Sequence, residues 1–191
     1  MWERAKEIAH IVLPALGYLL VLGALRAVLG RVAGAAAGPE TSDAVCACVL
    51  LPFTVLAAKK WCPPAEAEQP PWGAYLSAAA LLLALAAGIV RLRAALSGGS
   101  GAVLALLGYG IAGPVNEELV YRGFVFRRGR KVLGRWGAAA LSAALFAAGH
   151  AAPGQMAVAL LAGAVFACAA EFTGTLRLPV LLHICWNLLF P

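Results

Sequence analysis

The sequence predicts an all-α fold, a polytopic integral membrane bundle of about seven helical spans within a range of six to eight. Of its 191 residues, 62% are apolar and only 13% are charged, whereas a soluble domain carries about 25% charged residues. The mean hydropathy of +0.85 points the same way. Because so few charges cannot cover a water-facing surface, the composition excludes an ordinary soluble protein.

Seven apolar stretches account for this composition when each is judged against the roughly 20 residues that a bilayer requires. Proline residues in the polar segment 59–72 stop any helix there, and residues 97–100 form a flexible Ser-Gly-Gly-Ser break. No internal repeat is evident, so we expect a single membrane domain over 1–191. Residues 1–100 read as scaffold spans, and residues 101–191 hold nearly all the unusual polar groups. The predicted spans are approximately 8–30, 43–58, 73–92, 101–126, 137–150, 155–170 and 176–190.

Basic residues between the spans predict the orientation, because Lys and Arg are enriched in cytoplasmic loops. With the N-terminus in the cytoplasm, ten basic residues fall inside and three outside. The net charge of +6 is then explained by anionic lipid head groups, and we expect no nucleic-acid partner. Abundant Ala, Gly and Arg are typical of a bacterial genome rich in G and C, so the predicted location is the bacterial inner (plasma) membrane. The inside set is Arg4, Lys6, Lys59, Lys60, Arg127, Arg128, Arg130, Lys131, Arg135 and Arg177, and the outside set is Arg31, Arg91 and Arg93.

Three charged residues lie inside the fourth predicted span: Glu117, Glu118 and Arg122. A charge at bilayer depth costs roughly 2.5–3.5 kcal/mol on insertion scales, so it usually pairs or performs a function. Glu118 and Arg122 are four residues apart and can form an intrahelical ion pair. Glu117 is rotated by about 100° from Glu118 on a helix, so this arrangement leaves one carboxylate unpaired, and we look for chemistry there.

Two histidines and one asparagine complete the polar set in this half of the chain. His183 and Asn187 share one helix face, and Phe146 shares a face with His150. The helical rise places Glu117 roughly 15 Å, His183 roughly 10 Å and His150 roughly 20 Å from the cytoplasmic ends of their spans. These groups could therefore meet in a cavity that opens to the cytoplasm below the membrane surface.

Such a set of side chains is suited to hydrolysis. A carboxylate in a low-dielectric site can act as a general base on water, and a neighbouring His can hold the same water or protonate the leaving amine. A second His and an Asn are suitable donors to a developing oxyanion. The sequence has neither a G-x-S-x-G nucleophile nor an H-E-x-x-H zinc helix. Buried Glu and His also serve proton relays in transporters, and Asn and ion pairs can simply join helices.

Three short motifs follow one another along the second half of the chain. They are Glu117-Glu118-x-x-x-Arg122, Phe146-x-x-x-His150 and His183-x-x-x-Asn187. In this order, on membrane spans, they resemble the CAAX protease and bacteriocin-processing (CPBP, or Abi) family of intramembrane endopeptidases, whose eukaryotic relatives trim prenylated CAAX proteins. The resemblance covers about residues 110–190. In its short length the chain is similar to bacterial members that resemble the myxosortase and sorting-signal proteases, which remove C-terminal membrane anchors from exported proteins.

The resemblance implies a role for each motif residue. Glu117 would activate the water, with His150 beside it. His183 and Asn187 would stabilise the oxyanion. Glu118 would support these residues most directly, and it is grouped with the catalytic residues. Arg122 and Phe146 would support the site.

The family resemblance leaves the metal requirement open. The family has been called a metalloprotease, and Glu117, His150 and His183 could bind zinc. We favour a glutamate-type site without a cofactor, because Asn187 suits an oxyanion donor better than a zinc ligand. The expected partners are a membrane-anchored protein or peptide substrate and the lipid bilayer. The alternative function is a catalytically silent immunity or scaffold protein of the same fold.

Overall fold

A computed structural model describes residues 2–33, 39–63 and 70–190, and the regular structure of these residues is entirely helical. The predicted all-α fold class is therefore confirmed. Two π-helical segments, Gly108–Ala112 and Leu119–Phe126, interrupt the α-helices on either side of the paired glutamates. The α-helices are α1 (Trp2–Ala33), α2 (Pro39–Trp61), α3 (Pro71–Gly98), α4 (Ser100–Leu107), α5 (Gly113–Glu118), α6 (Arg127–Ala148), α7 (Pro153–Thr173) and α8 (Arg177–Leu189).

The number of spans in the described part of the chain is about six. Four helices are long and apolar enough to cross a bilayer, namely α1, α2, α3 and α7, and α8 is a shorter apolar helix. Between α3 and α7 the chain forms one helical run over residues 100–148, which we call the central run. The prediction of about seven spans therefore holds at the lower end of its range. Residues 64–69 of the predicted polar loop lie outside the described residues.

The basic segment 127–135 is helical rather than a loop, which corrects the sequence interpretation. Arg and Lys are good helix formers, and two of these side chains are fixed by the end of α2. Arg127 donates to the carbonyl of Pro63 at 3.0 Å and Arg128 donates to that of Trp61 at 3.0 Å. The central run kinks only at Gly134, whose φ of 68° is the left-handed conformation that glycine adopts without strain.

Two polar contacts fix the ends of the helices that carry the motifs. Arg130 forms an ion pair of 3.0 Å with Glu171, which joins the start of α6 to the end of α7. At the other end of the bundle, Arg91 Nε on α3 donates to the carbonyl of Leu188 at 2.7 Å. A cation at the last carbonyls of a helix stabilises its C-terminus, so α3 holds the helix that carries His183 and Asn187.

Two helices approach each other closely where Gly108 of the first π-helical segment crosses α2 at Ala44. A Cβ at Gly108 would lie 2.3 Å from Ala44 Cα and 2.6 Å from its carbonyl oxygen. Because backbone atoms cannot yield as a side chain can, we expect Gly108→Ala to cost about 1–3 kcal/mol of unfolding free energy. Thermal unfolding in detergent measures this loss.

The matched control for Gly108→Ala is Gly101→Ala, because a Cβ at Gly101 meets nothing within 4 Å. Alanine also has the higher helix propensity, so Gly101→Ala is expected to lose no stability. Equal midpoints of thermal unfolding for Gly108→Ala and Gly101→Ala would contradict the tight crossing at Ala44.

Candidate active site

The paired glutamates lie at the end of a short α-helix between two π-helical segments. Helix α5 ends at Glu118, and the second π-helical segment begins at the next residue, Leu119. Single π-helical turns inside α-helices occur frequently at functional sites, because the wider turn changes which side chains share a face. Ser142 on α6 donates to the carbonyl of Tyr121 at 2.8 Å within this wider turn. This hydrogen bond therefore holds the backbone next to the glutamates against α6.

Asn116 fixes the rotation of α5 from the other side. Its side chain is fully buried, its Nδ2 donates to the carbonyl of Ala47 at 2.8 Å, and its Oδ1 accepts from the hydroxyl of Thr54. The sequence motifs predict no role for Asn116. The sequence feature that could have indicated a role is a lone amide directly before the glutamates in an apolar span, since such amides form hydrogen bonds between membrane helices.

Glu118 is fully buried and accepts two hydrogen bonds on one oxygen. Arg122 Nη1 donates to Glu118 Oε1 at 2.8 Å, which is the intrahelical ion pair expected from the four-residue spacing. His183 Nδ1 lies 2.9 Å from the same oxygen. Because an ionised carboxylate only accepts, Nδ1 carries the proton in this contact. Glu118 therefore fixes both the tautomer and the orientation of His183.

His183 contacts both glutamates. With Nδ1 bonded to Glu118, its Nε2 points at Glu117 and lies 3.6 Å from Glu117 Oε2. The imidazole is buried and stacks on Phe166 with a centroid distance of 4.9 Å. One ring thus spans the two carboxylates, in an orientation set by packing and by Glu118.

Only Glu117 of the two glutamates has exposed side-chain surface. Its side chain keeps 27% of its surface exposed, whereas that of Glu118 keeps none. The histidines close enough to interact electrostatically with the Glu117 carboxylate are His183 and His150.

Arg122 is fully buried and is held by more than Glu118. Its Nη2 donates to the carbonyl of Gly163 on α7 at 2.9 Å. Its guanidinium carbon lies 4.8 Å from the ring centre of Phe146 and 5.3 Å from that of Phe166. A desolvated cation between aromatic faces gains about 2 kcal/mol from such contacts. Arg122 therefore links the second π-helical segment, α6 and α7 around Glu118.

Phe146 lies between the two histidines of the site. Its ring centre is 5.1 Å from that of His150 and 5.5 Å from that of His183. The Nδ1 of His150 lies 3.1 Å from the carbonyl of Phe146 and donates to it, so the neutral ring presents Nε2 as an acceptor. His150 is half-buried. The second motif thus works as a unit, because Phe146 both packs the site and orients His150.

Asn187 lies one helical turn beyond His183 on α8 and bonds outside the histidine and glutamate cluster. Its Nδ2 donates to the carbonyl of Tyr109 in the first π-helical segment at 2.9 Å. An amide group carries two hydrogens, so one is used in this contact and a second is left. The structure therefore brings together Glu117, Glu118, Arg122, Phe146, His150 and His183, with Asn187 at the edge of the group.

The three candidate zinc ligands do not form a metal-binding group as they are arranged. Across the described residues, no three His, Cys, Asp or Glu side chains are placed so that they could hold a metal ion. Glu117 and His183 face each other, and the Nδ1 of His150 is bonded to the Phe146 carbonyl, which leaves its Nε2 as an acceptor. The metal requirement stays a prediction, and the mechanism proposed for this site has no metal step.

A comparison with protein families agrees with the motifs. Residues 99–189 match the model of a family described as type II CAAX prenyl endopeptidase, Rce1-like. No curated protein and no solved structure matches the chain. The matched range runs from the end of α3 to the end of α8 and includes all three motifs, which confirms the predicted resemblance. Over residues 99–189, the chain is thus similar to the Rce1-like family of type II CAAX prenyl endopeptidases.

Proposed function

We propose that the chain is an intramembrane endopeptidase that hydrolyses a peptide bond in a membrane-anchored or C-terminally tagged protein substrate. One observation carries the proposal. A partly exposed carboxylate, Glu117, faces the Nε2 of a histidine whose other nitrogen is bonded to a fully buried carboxylate, Glu118. An ion pair needed only for stability would not require the second, partly exposed glutamate or the histidine between them.

The proposed reaction begins with a water molecule beside Glu117 and His150. Glu117 removes one proton from the water molecule as the water oxygen attacks the substrate carbonyl carbon. A tetrahedral oxyanion forms. His183 donates from Nε2 to this oxyanion when its ring is charged, together with the second amide hydrogen of Asn187. The proton held by Glu117 then passes to the leaving nitrogen as the C–N bond breaks. The products are a carboxylic acid and an amine.

Glu118 and Arg122 are assigned positioning roles in this proposal. Arg122 holds the Glu118 carboxylate in place, and Glu118 orients the ring of His183 by accepting from Nδ1. Neither side chain has exposed surface, so neither is placed to contact the substrate. Glu118 therefore moves, in our proposal, from the catalytic group expected from the sequence to the residues that orient it.

Metal removal should leave the proposed activity intact. We expect purified protein treated with EDTA or 1,10-phenanthroline, and then desalted, to cleave its substrate at the untreated rate. The physical reason is that the candidate ligands do not form a zinc group. Loss of activity on chelation, with recovery on adding Zn²⁺, would replace the glutamate-type mechanism with a metal-dependent one.

The finer assignments are part of the same proposal. We place the N-terminus in the cytoplasm and the protein in the bacterial inner membrane, on the basis of its basic residues and composition. Its partners are then the anchored substrate and the surrounding lipid.

The experiment that tests the function compares protein termini in membranes from cells that express either the wild-type chain or Glu117→Gln. Termini present only with the wild type, and measured by mass spectrometry, would establish a protease and give its substrates and cleavage site together. Identical termini with both proteins expressed at equal levels would instead support a catalytically silent immunity or scaffold protein.

A further inference from the structure

A second feature of the molecule lies outside the hydrolytic site, in a groove between α1 and α2. Its volume is about 500 Å³, within the range of about 300–1,000 Å³ that is typical of small-molecule sites. The second π-helical segment forms its floor. We call it the α1–α2 groove, and its walls and floor are formed mainly by Tyr18, Val21, Leu50, Phe53, Val120 and Phe124.

The α1–α2 groove opens towards the bilayer. Three apolar side chains at the groove are more than half exposed: Val21 at 54%, Phe53 at 65% and Trp61 at 55%. Side chains of this kind on the outside of membrane helices face lipid, and all three lie on candidate membrane spans. The natural contents of the groove therefore come from the lipid phase.

The lining of the groove favours a hydrocarbon chain over a peptide. Thr54 is a hydroxyl side chain at the groove, and it already donates within the protein, to the carbonyl of Leu51 or to Asn116. A peptide in such a groove would leave backbone N–H and C=O groups without partners, at several kcal/mol for each group in hydrocarbon. An acyl chain has no polar groups to satisfy.

One end of the groove is basic. Arg128 lines it there, and its Nη2 donates to the carbonyl of Trp61 at 3.0 Å, which leaves other guanidinium hydrogens for a ligand. Lys60 brings a second cation to this end, with Nζ 5.2 Å from the Trp61 ring centre. Guanidinium groups bind phosphate through charge-assisted hydrogen bonds, and basic residues beside membrane helices attract anionic lipids.

We propose that the α1–α2 groove binds one anionic phospholipid, with an acyl chain along Val21, Phe53 and Phe124 and the phosphate at Arg128. The bound chain would fill the space between α1 and the second π-helical segment. Tyr18 connects the two regions, because it lines the groove and its ring contacts Tyr121 at a centroid distance of 6.5 Å. The lipid would thus pack behind the second π-helical segment, which directly follows the glutamates, without entering the hydrolytic site.

Native mass spectrometry of the full chain in detergent tests the proposal, with phosphatidylglycerol and phosphatidylcholine of identical acyl chains as probes. We expect one phosphatidylglycerol to bind the wild type about tenfold more tightly than phosphatidylcholine. Arg128→Gln should remove most of this preference, because it removes the charge-assisted hydrogen bonds. Arg93→Gln is the matched control, since Arg93 is an exposed cation on α3 away from the groove.

A second variant tests the acyl-chain part of the site. A Cβ at Gly17, which lines the groove, meets nothing within 4 Å, so Gly17→Leu should fill the groove without disturbing the fold and abolish lipid binding. Gly23→Leu is its control, because Gly23 also has open space but does not line the groove. Undiminished phosphatidylglycerol binding by Gly17→Leu, or equal affinity for the two lipids in the wild type, would overturn the proposal. So would cross-linking that finds a substrate peptide in the groove.

Discussion

Glu117→Gln is expected to lower kcat for peptide hydrolysis by about a thousandfold while leaving the midpoint of thermal unfolding unchanged. Glutamine has nearly the same shape but cannot accept a proton from water, and a positioned general base contributes about 10²–10⁴-fold to the rate. Stability should not fall, because the Glu117 side chain is partly exposed and the ion pair of the site belongs to Glu118. Single-turnover cleavage of a purified substrate in detergent measures the rate.

Two matched variants make the Glu117→Gln result specific. Glu7→Gln changes an exposed glutamate on α1 in the same way and should keep the wild-type rate. Glu118→Gln should also lower kcat, but through His183, because the Nδ1 of His183 loses the carboxylate that orients the ring. Retention of more than a tenth of the wild-type rate by Glu117→Gln would rule out Glu117 as the base.

The sequence is enough to predict the family resemblance and the ion pair of the site. It is not enough to predict the contacts between helices. The four-residue spacing of Glu118 and Arg122 is enough to expect their contact, because helix geometry alone brings these side chains together. Long-range contacts have no such rule. The sequence pairs His150 with Glu117 by family resemblance, whereas the structure turns His183 towards both glutamates, through the packing of α8 against α5 and α7.

Local backbone geometry explains what the sequence interpretation missed. The two π-helical segments have no spacing signature, and they alter the 100° steps on which face assignments around Glu117 depend. The basic segment 127–135 reads as a loop because it is polar. Its helical form depends on carbonyls at the distant end of α2 that Arg127 and Arg128 contact. In both cases the missing information is tertiary.

Arg122→Met should produce the largest loss of stability among single substitutions at the site, about 3–5 kcal/mol of unfolding free energy. Methionine fills much of the volume of the side chain, but it leaves Glu118 fully buried with its charge opposed only by His183. Removing one partner of a buried pair is costly for this reason. The contacts of the guanidinium with Phe146 and Phe166 and its hydrogen bond to Gly163 are lost as well.

The control for Arg122→Met is Arg130→Met, which breaks a partly exposed ion pair with Glu171 and should cost about 1 kcal/mol or less. The double variant Glu118→Gln with Arg122→Met removes the uncompensated charge. It should recover part of the lost stability without recovering hydrolysis, because His183 would still lack the carboxylate that orients it. Denaturant unfolding in detergent micelles ranks the three proteins. A double variant no more stable than Arg122→Met would show that packing around the guanidinium, rather than the buried charge of Glu118, dominates the loss.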